Sequence, residues 1–252
     1  MAKNIITFLL PFILVFSFLP DTAAAQFEGE IVFRAYEPER AENPQRYVQF
    51  IATPERIHLS SQDRYKVFSG MDANGFLVRN DRNDFVFISG EDDALRISKE
   101  DVNSLANLIE RMQGSAASQQ QFDWDGRMQV TGETKTIAGH RTEQIKVYEE
   151  NSENYVSVWL TDEIKVNWGI LENSWHHSLS KVVEIDLPIE VFMNRQSFPL
   201  QMEFYRNDAL ETVVEATQVN RRSIDRKLVE IPEGVKMLGI TDLMMKMMMD
   251  RR

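Results

Sequence analysis

No cysteine occurs anywhere in the 252-residue chain. That excludes disulfides, thiolate chemistry and a lipid attached through an N-terminal cysteine, so the fold has to hold by packing alone. Positive charge is also scarce: 28 Lys and Arg stand against 39 Asp and Glu, a net charge of −11. Such a balance argues against nucleic acid or an anionic membrane surface as partner. Past the first twenty or so positions, no stretch approaches the roughly 20 apolar residues that a membrane-spanning helix needs. There is no Asn-x-Ser/Thr acceptor, no G-x-S-x-G, no P-loop and no H-E-x-x-H. The expectation from these absences is a non-catalytic protein with no cofactor.

What is present begins with an export signal. Lys3 is followed by an apolar run from Ile5 to Leu19, then Pro20-Asp21, then Ala23-Ala24-Ala25. Charge, apolar core and small residues in that order form the secretory pattern, with cleavage expected before Gln26. The run is too short for a transmembrane anchor. Residues 1–25 are therefore expected to be a signal peptide and 26–252 one β-rich domain, exported to a periplasm or secreted. Loss of Lys3 and Asp21 together leaves the charge unchanged.

Strand-like runs dominate the rest. Phe27–Arg34, Tyr47–Ala52, Arg56–Ser60, Tyr65–Ser69, Phe76–Asn80 and Phe85–Ser89 are short, β-rich and separated by turn residues. Phe85-Val86-Phe87-Ile88 is apolar at every position, which predicts a strand covered on both faces. The period then changes. Ser98 and Asp101 form a capping box, and Val102, Leu105, Ile109 and Met112 make one helical stripe ending near Gly114. Ser115–Gln121 is small and polar and reads as a linker.

Strands resume at Arg127–Thr131, Lys135–Ala138, Arg141–Tyr148 and Tyr155–Thr161, with a short one expected at Ile164–Trp168. On Tyr155–Thr161, Val156, Val158 and Leu160 share one face, and Tyr155, Ser157 and Trp159 the other. Two short helices are expected between Asn173 and Asn194, interrupted by Pro188. Leu200–Asn207 and Glu211–Asn220 read as a hairpin and Leu228–Pro232 as an extended piece. A terminal helix, Asp242–Asp250, is expected to be capped by Thr241. The predicted fold class is α+β, mostly β: an antiparallel half-open barrel with a few covering helices.

The second half carries a resemblance. Thr136-Ile137-Ala138-Gly139-His140 precedes Val158-Trp159-Leu160-Thr161-Asp162, then Phe198-Pro199-Leu200, and finally Ile231-Pro232-Glu233-Gly234-Val235-Lys236. This order resembles an exported bacterial family known only as a domain of unknown function, distantly similar to the LolA/LolB lipoprotein carriers. His140 stands where an aromatic is commoner, and Ser197-Phe198 replaces the usual Gly before Pro-Leu. The resemblance implies a half-open antiparallel barrel closed by helices and a Met-rich final helix. It brings no catalytic residue.

Candidate chemistry is thin. His176-His177 diverge in either a strand or a helix, so they are poorly placed to share a metal. Glu91-Asp92-Asp93 reads as a solvated turn, and Asp123 and Asp125 lie in a loop-like run without the remaining ligands of a calcium loop. Composition is most unusual at the C-terminus, where six of the twelve methionines fall between Met237 and Met249. Methionine fills irregular gaps and also lines adaptable apolar surfaces. Plain core packing and the wall of a cavity both fit.

The cavity reading selects Leu105, Ile109, Met112, Trp159, Leu243, Met244, Met247 and Met248 as candidate ligand-lining residues. The expected function is binding of an apolar ligand, lipid or lipidated partner. The alternative is an envelope-protein interaction or scaffolding module with a filled core.

Overall fold

The computed structural model describes residues 26–40, 42, 44–68, 71–90, 93–101, 127–149, 153–171 and 195–249. The expected signal peptide, the expected helical stripe from Val102 to Met112, Gly114, Ser115–Gln121, Asp123, Asp125 and the stretch holding His176 and His177 lie outside them. Among the described residues, twelve strands form one sheet. They are β1 (Gly29–Tyr36), β2 (Arg46–Ala52), β3 (Arg56–Phe68), β4 (Met71–Arg79), β5 (Asp84–Ser89), β6 (Asp93–Ser98), β7 (Met128–Ile137), β8 (His140–Tyr148), β9 (Tyr155–Thr161), β10 (Phe198–Arg206), β11 (Ala209–Arg221) and β12 (Lys236–Leu238). Their spatial order is β12-β6-β5-β4-β3-β2-β1-β11-β10-β9-β8-β7. Every pairing is antiparallel except β12 on β6. The end strands β7 and β12 do not pair with each other, so the sheet is open rather than a closed barrel.

Turn chemistry sets the hairpins. Ala138 and Gly139, at φ +47° and +86°, join β7 to β8. Asn207 and Asp208, at +48° and +61°, join β10 to β11. Two successive positive φ angles match the twist of the flanking strands, and Gly or Asn takes them at low cost.

Alternation along the strands sorts the side chains onto two faces. On the first face, Ile31 and Phe33 of β1 lie level with Phe50 and Val48 of β2. Ile57, Val78, Phe85 and Ile97, level with Ala52, carry the same face on through β3, β4, β5 and β6. Val214, Met202, Val158 and Ile145 extend this face through β11, β10, β9 and β8. The second face carries Ile51, Leu77, Val86, Ile88 and Ala94, buried beneath Ile224 and Val229 of the segment that follows β11. The expectation for Phe85–Ile88 is met: Phe85 and Phe87 join one core cluster while Val86 and Ile88 join the other.

Several boundaries differ from the sequence reading. Arg56–Ser60 and Tyr65–Ser69 were expected apart, but β3 runs through, with an irregularity between Ser60 and Tyr65. The two pieces expected around Val130 and Lys135 likewise fuse into β7 across an irregularity between Val130 and Thr134. β6 was not expected at all. Ile164–Trp168 is not a strand; it leads into a 3-10 turn at Gly169–Leu171. Gly169 sits there at φ +50°, where a Cβ would lie 2.2 Å from Asn80 Oδ1. That close approach lets the Asn80 side chain accept from Ile170 N at 3.1 Å and donate to the Asn167 carbonyl at 3.1 Å. Leu228 belongs to a 3-10 turn at Arg226–Val229 rather than to an extended piece.

The terminal helix, α1, covers Ile240–Met249. Its first turn is held by Asp242 Oδ2, which accepts from Gly239 N at 2.8 Å, so the cap is Asp242 reaching back and not Thr241. The capping box at the start of the other expected helix forms as read: Ser98 Oγ accepts from Asp101 N at 3.2 Å, and Asp101 Oδ2 accepts from Ser98 N at 3.0 Å. Residues 99–101 are helical, and the remainder of that helix lies outside the described residues.

Candidate functional site

The first face is the larger apolar surface. Its cluster joins Ile31, Phe33, Phe50, Ile57, Phe85, Phe87, Leu95 and Ile97 to Leu243 of α1. Aromatic rings interlock inside it. Phe198 stacks on Trp168 at 5.8 Å and meets Phe50 edge-on at 5.0 Å, while Phe76 lies 4.9 Å from Phe87. Ile145, Val147, Val158 and Leu160 continue this face as a separate buried cluster towards β7. Helix α1 packs against β6 and β12 at the opposite edge.

Of the expected cavity residues, Leu243 is 3% exposed and Trp159 7% exposed, and both belong to the large cluster. Met244, Met247 and Met248 lie on α1, with their side chains outside the described set, as are Leu105, Ile109 and Met112 altogether. Met245 is half exposed.

Strand alternation puts Trp159 on the opposite side of β9 from Val158 and Leu160, so the large cluster reaches round to the second face there, beside a polar row. Strand register aligns Gln144, Trp159, Gln201, Glu215, Arg34 and Tyr47 on β8, β9, β10, β11, β1 and β2. The Lys135 ammonium lies 3.8 Å from the centre of the Trp159 ring, a cation–π contact, and 3.6 Å from Glu203. Burial lowers the Lys135 pKa, and the Glu203 carboxylate opposes that shift.

Glu203 also accepts from Gln201 at 2.9 Å and Tyr205 at 3.3 Å. Arg34 pairs with Glu215, which raises the guanidinium pKa further. Tyr205 stacks on Tyr155 at 4.5 Å, and desolvation pushes its phenol up to about 12. The Trp159 indole Nε1 and Arg34 Nε are buried without a hydrogen-bond partner.

Glu215 of this row and Glu203 beside it are engaged by cations, an amide and a phenol. The arrangement sets aromatic rings and paired charges side by side on one surface. Elsewhere, His140 Nδ1 lies 2.7 Å from Glu163, whose pKa the histidine lowers. Among the described residues, no group of three or more His, Asp or Glu is placed to hold a metal ion. Sequence reading missed Lys135, Glu203, Glu215 and Arg34, because single charged residues on different strands share no local motif. The available signal was period-two alternation, which had already set Tyr155 and Trp159 apart from Val158.

The class established by these observations is a mostly β protein built on one large, open, mainly antiparallel sheet with few helices. No family profile matches the chain, and no curated protein does. Among solved structures it is similar to PNGF-II in two crystal forms, space groups P21 and C2. The TM-scores are 0.48 and 0.47, at 15% and 16% identity over 87% and 88% of this chain. The chain spans about a third of the length of those structures, 32% in both.

Proposed function

We propose that the chain is an exported, non-catalytic envelope protein that holds an apolar ligand, a lipid or a lipid-modified partner against the first face of its sheet. The observation that carries this reading is the continuity of that face. Apolar residues occupy it from β6 through β8, on a sheet that does not close on itself, with Leu243 of the Met-rich helix seated at one end. An open sheet can part from its covering helix without breaking strand pairing, and methionine side chains adapt to ligands of varied shape. The LolA/LolB-like half-open barrel implied by the sequence motifs agrees with this reading.

The test is native mass spectrometry of the purified protein after incubation with envelope lipid extract. Bound lipid adducts that survive desalting are the expected result. Their complete absence, with a fully packed interior in a crystal structure, would overturn the reading.

A second reading is favoured by the row through Trp159, Arg34 and Tyr47. Trp, Tyr and Arg are enriched at protein interfaces, so this face suits a protein partner. A stable envelope protein captured by the wild type but lost on Tyr47→Ala, with no lipid bound, would support it instead.

A further inference from the structure

We propose that His58 is an acid-sensitive latch for the segment from Ile224 to Val235, so that acidification loosens this strap and uncovers a second apolar surface of the sheet. The strap connects β11 to β12. It covers Ile51, Leu77, Val86, Ile88 and Ala94 on the second face through Ile224, Val229, Ile231 and Val235. His58, on β3, stands between sheet and strap, level with Ile51 of β2 and Leu77 of β4.

The tautomer follows from the contacts. His58 Nδ1 lies 2.7 Å from the Leu228 carbonyl, which only accepts, so Nδ1 carries the hydrogen and donates it to the strap. The other nitrogen, Nε2, is then a bare lone pair. It is buried and has no hydrogen-bond partner. It faces Gly75, where even a Cβ would come within 3.3 Å of it. A proton arriving at Nε2 therefore meets neither an acceptor nor water while the strap is docked.

The surrounding charges do not relieve this. On the same face of β3 stands Arg56, held by Asp81 at 2.7 Å and donating to the Val229 carbonyl of the strap at 3.1 Å. Arg79 and Asp84 pair with each other, and Arg96 completes that group. On the strap, Arg226 and Arg56 share Glu230, while Asp225 caps the 3-10 turn by accepting from Lys227 N. Ile51, Leu77 and Gly75, the residues level with or beneath the ring, bring no carboxylate. Desolvation accordingly lowers the His58 pKa, with the Leu228 carbonyl opposing only in part.

The sign follows. With the docked pKa below the free value of about 6.5, the undocked strap binds the proton better. Docking is at full strength above the free pKa and weakens as pH falls below it. The loss approaches about tenfold in the docking equilibrium per pH unit until the docked pKa is reached. Asp81, whose pKa the Arg56 hydrogen bond lowers, titrates below the window between pH 7.5 and 5.5, and the comparison with the His58 variant separates this histidine from the others. This latch acts on the second face and stands or falls independently of ligand binding on the first.

Hydrogen exchange of the full protein at pH 7.5 and 5.5, corrected for the intrinsic pH dependence of amide exchange, tests it. The expected result is a several-fold loss of protection in the strap amides at pH 5.5, with the β1–β11 pairing unchanged. His58→Gln keeps a neutral donor for Leu228 and should make strap protection the same at both pH values. Equal protection at both pH values in the wild type would overturn the proposal, and so would an undiminished pH effect in H58Q. Should H58Q fail to fold, NMR titration of the wild-type histidines decides: a His58 pKa below 6.5 supports the latch and one at or above 6.5 rejects it.

Discussion

Asp84 is fully buried, yet cations close on it from two strands. Arg79 donates to both of its oxygens at 2.6 Å, and Arg96 donates to Oδ2 at 2.7 Å. Arg79 is itself nearly buried, whereas Arg96 is half exposed. Removing the carboxylate would strand the Arg79 guanidinium without a counter-charge in a dry site. Asp84→Ala should therefore destabilise the fold by about 3–5 kcal/mol, read from the urea midpoint. Arg96→Ala should cost far less, because its charge is solvated and Arg79 remains on Asp84.

Asp81 adds a pH term. Its hydrogen bond to Arg56 lowers its pKa. The stability it contributes is present above the unfolded Asp value of about 3.9 and fades as pH falls through the lower folded value. Asp81→Asn should remove that part of the acid sensitivity in denaturation curves below about pH 4. None of these pairs was legible in the sequence. Asp81 and Asp84 read there only as members of a turn, because their partners depend on strand register.

At the scale of elements, patterns with strong local physics were legible. The Ser98–Asp101 capping box formed as expected, since both halves of it lie within four residues. The all-apolar Phe85–Ile88 run could only be a strand with two buried faces. β6 escaped notice for the opposite reason. Leu95 and Ile97 alternate with Ala94 and Arg96 over too few positions, and the strand runs straight from an acidic turn into the capping box. β3 was split because Gln62 and Asp63 are polar and exposed midway along it, which resembles a loop in sequence and is a strand irregularity in the fold.

Helix α1 also belongs to this scale. Ten residues are too few for a stable helix in water, so α1 depends on docking, and Leu243 is its buried anchor. Leu243→Ala should cost about 2–5 kcal/mol in global stability or, where α1 opens independently, appear as lost protection of the α1 amides. Hydrogen exchange distinguishes the two. Unchanged protection and unchanged stability would show that Leu243 does not anchor the helix.

The whole molecule is governed by how one sheet of twelve strands disposes of its faces. The mostly β class, the positions of most strands along the chain and the absence of cysteine staples were all visible in composition and period. The openness of the sheet came only with the resemblance to a half-open barrel, because closure depends on whether β7 and β12 meet, and no local pattern encodes that. Nor did the sequence reveal that the second face is divided between a covered apolar patch near β4 and a polar, aromatic row near β9. That division follows from register summed over many strands.

The central claim is that the first face, with the Met-rich helix, receives an apolar ligand. Photo-crosslinking with a diazirine-bearing fatty acid, followed by peptide mapping of the labelled protein, tests it most directly. The account predicts labels on first-face residues such as Phe33, Phe50 and Val214 and on α1 around Leu243, competed away by unlabelled lipid. Labels confined to the row around Trp159 and Tyr47, or no competable labelling at all, would contradict it.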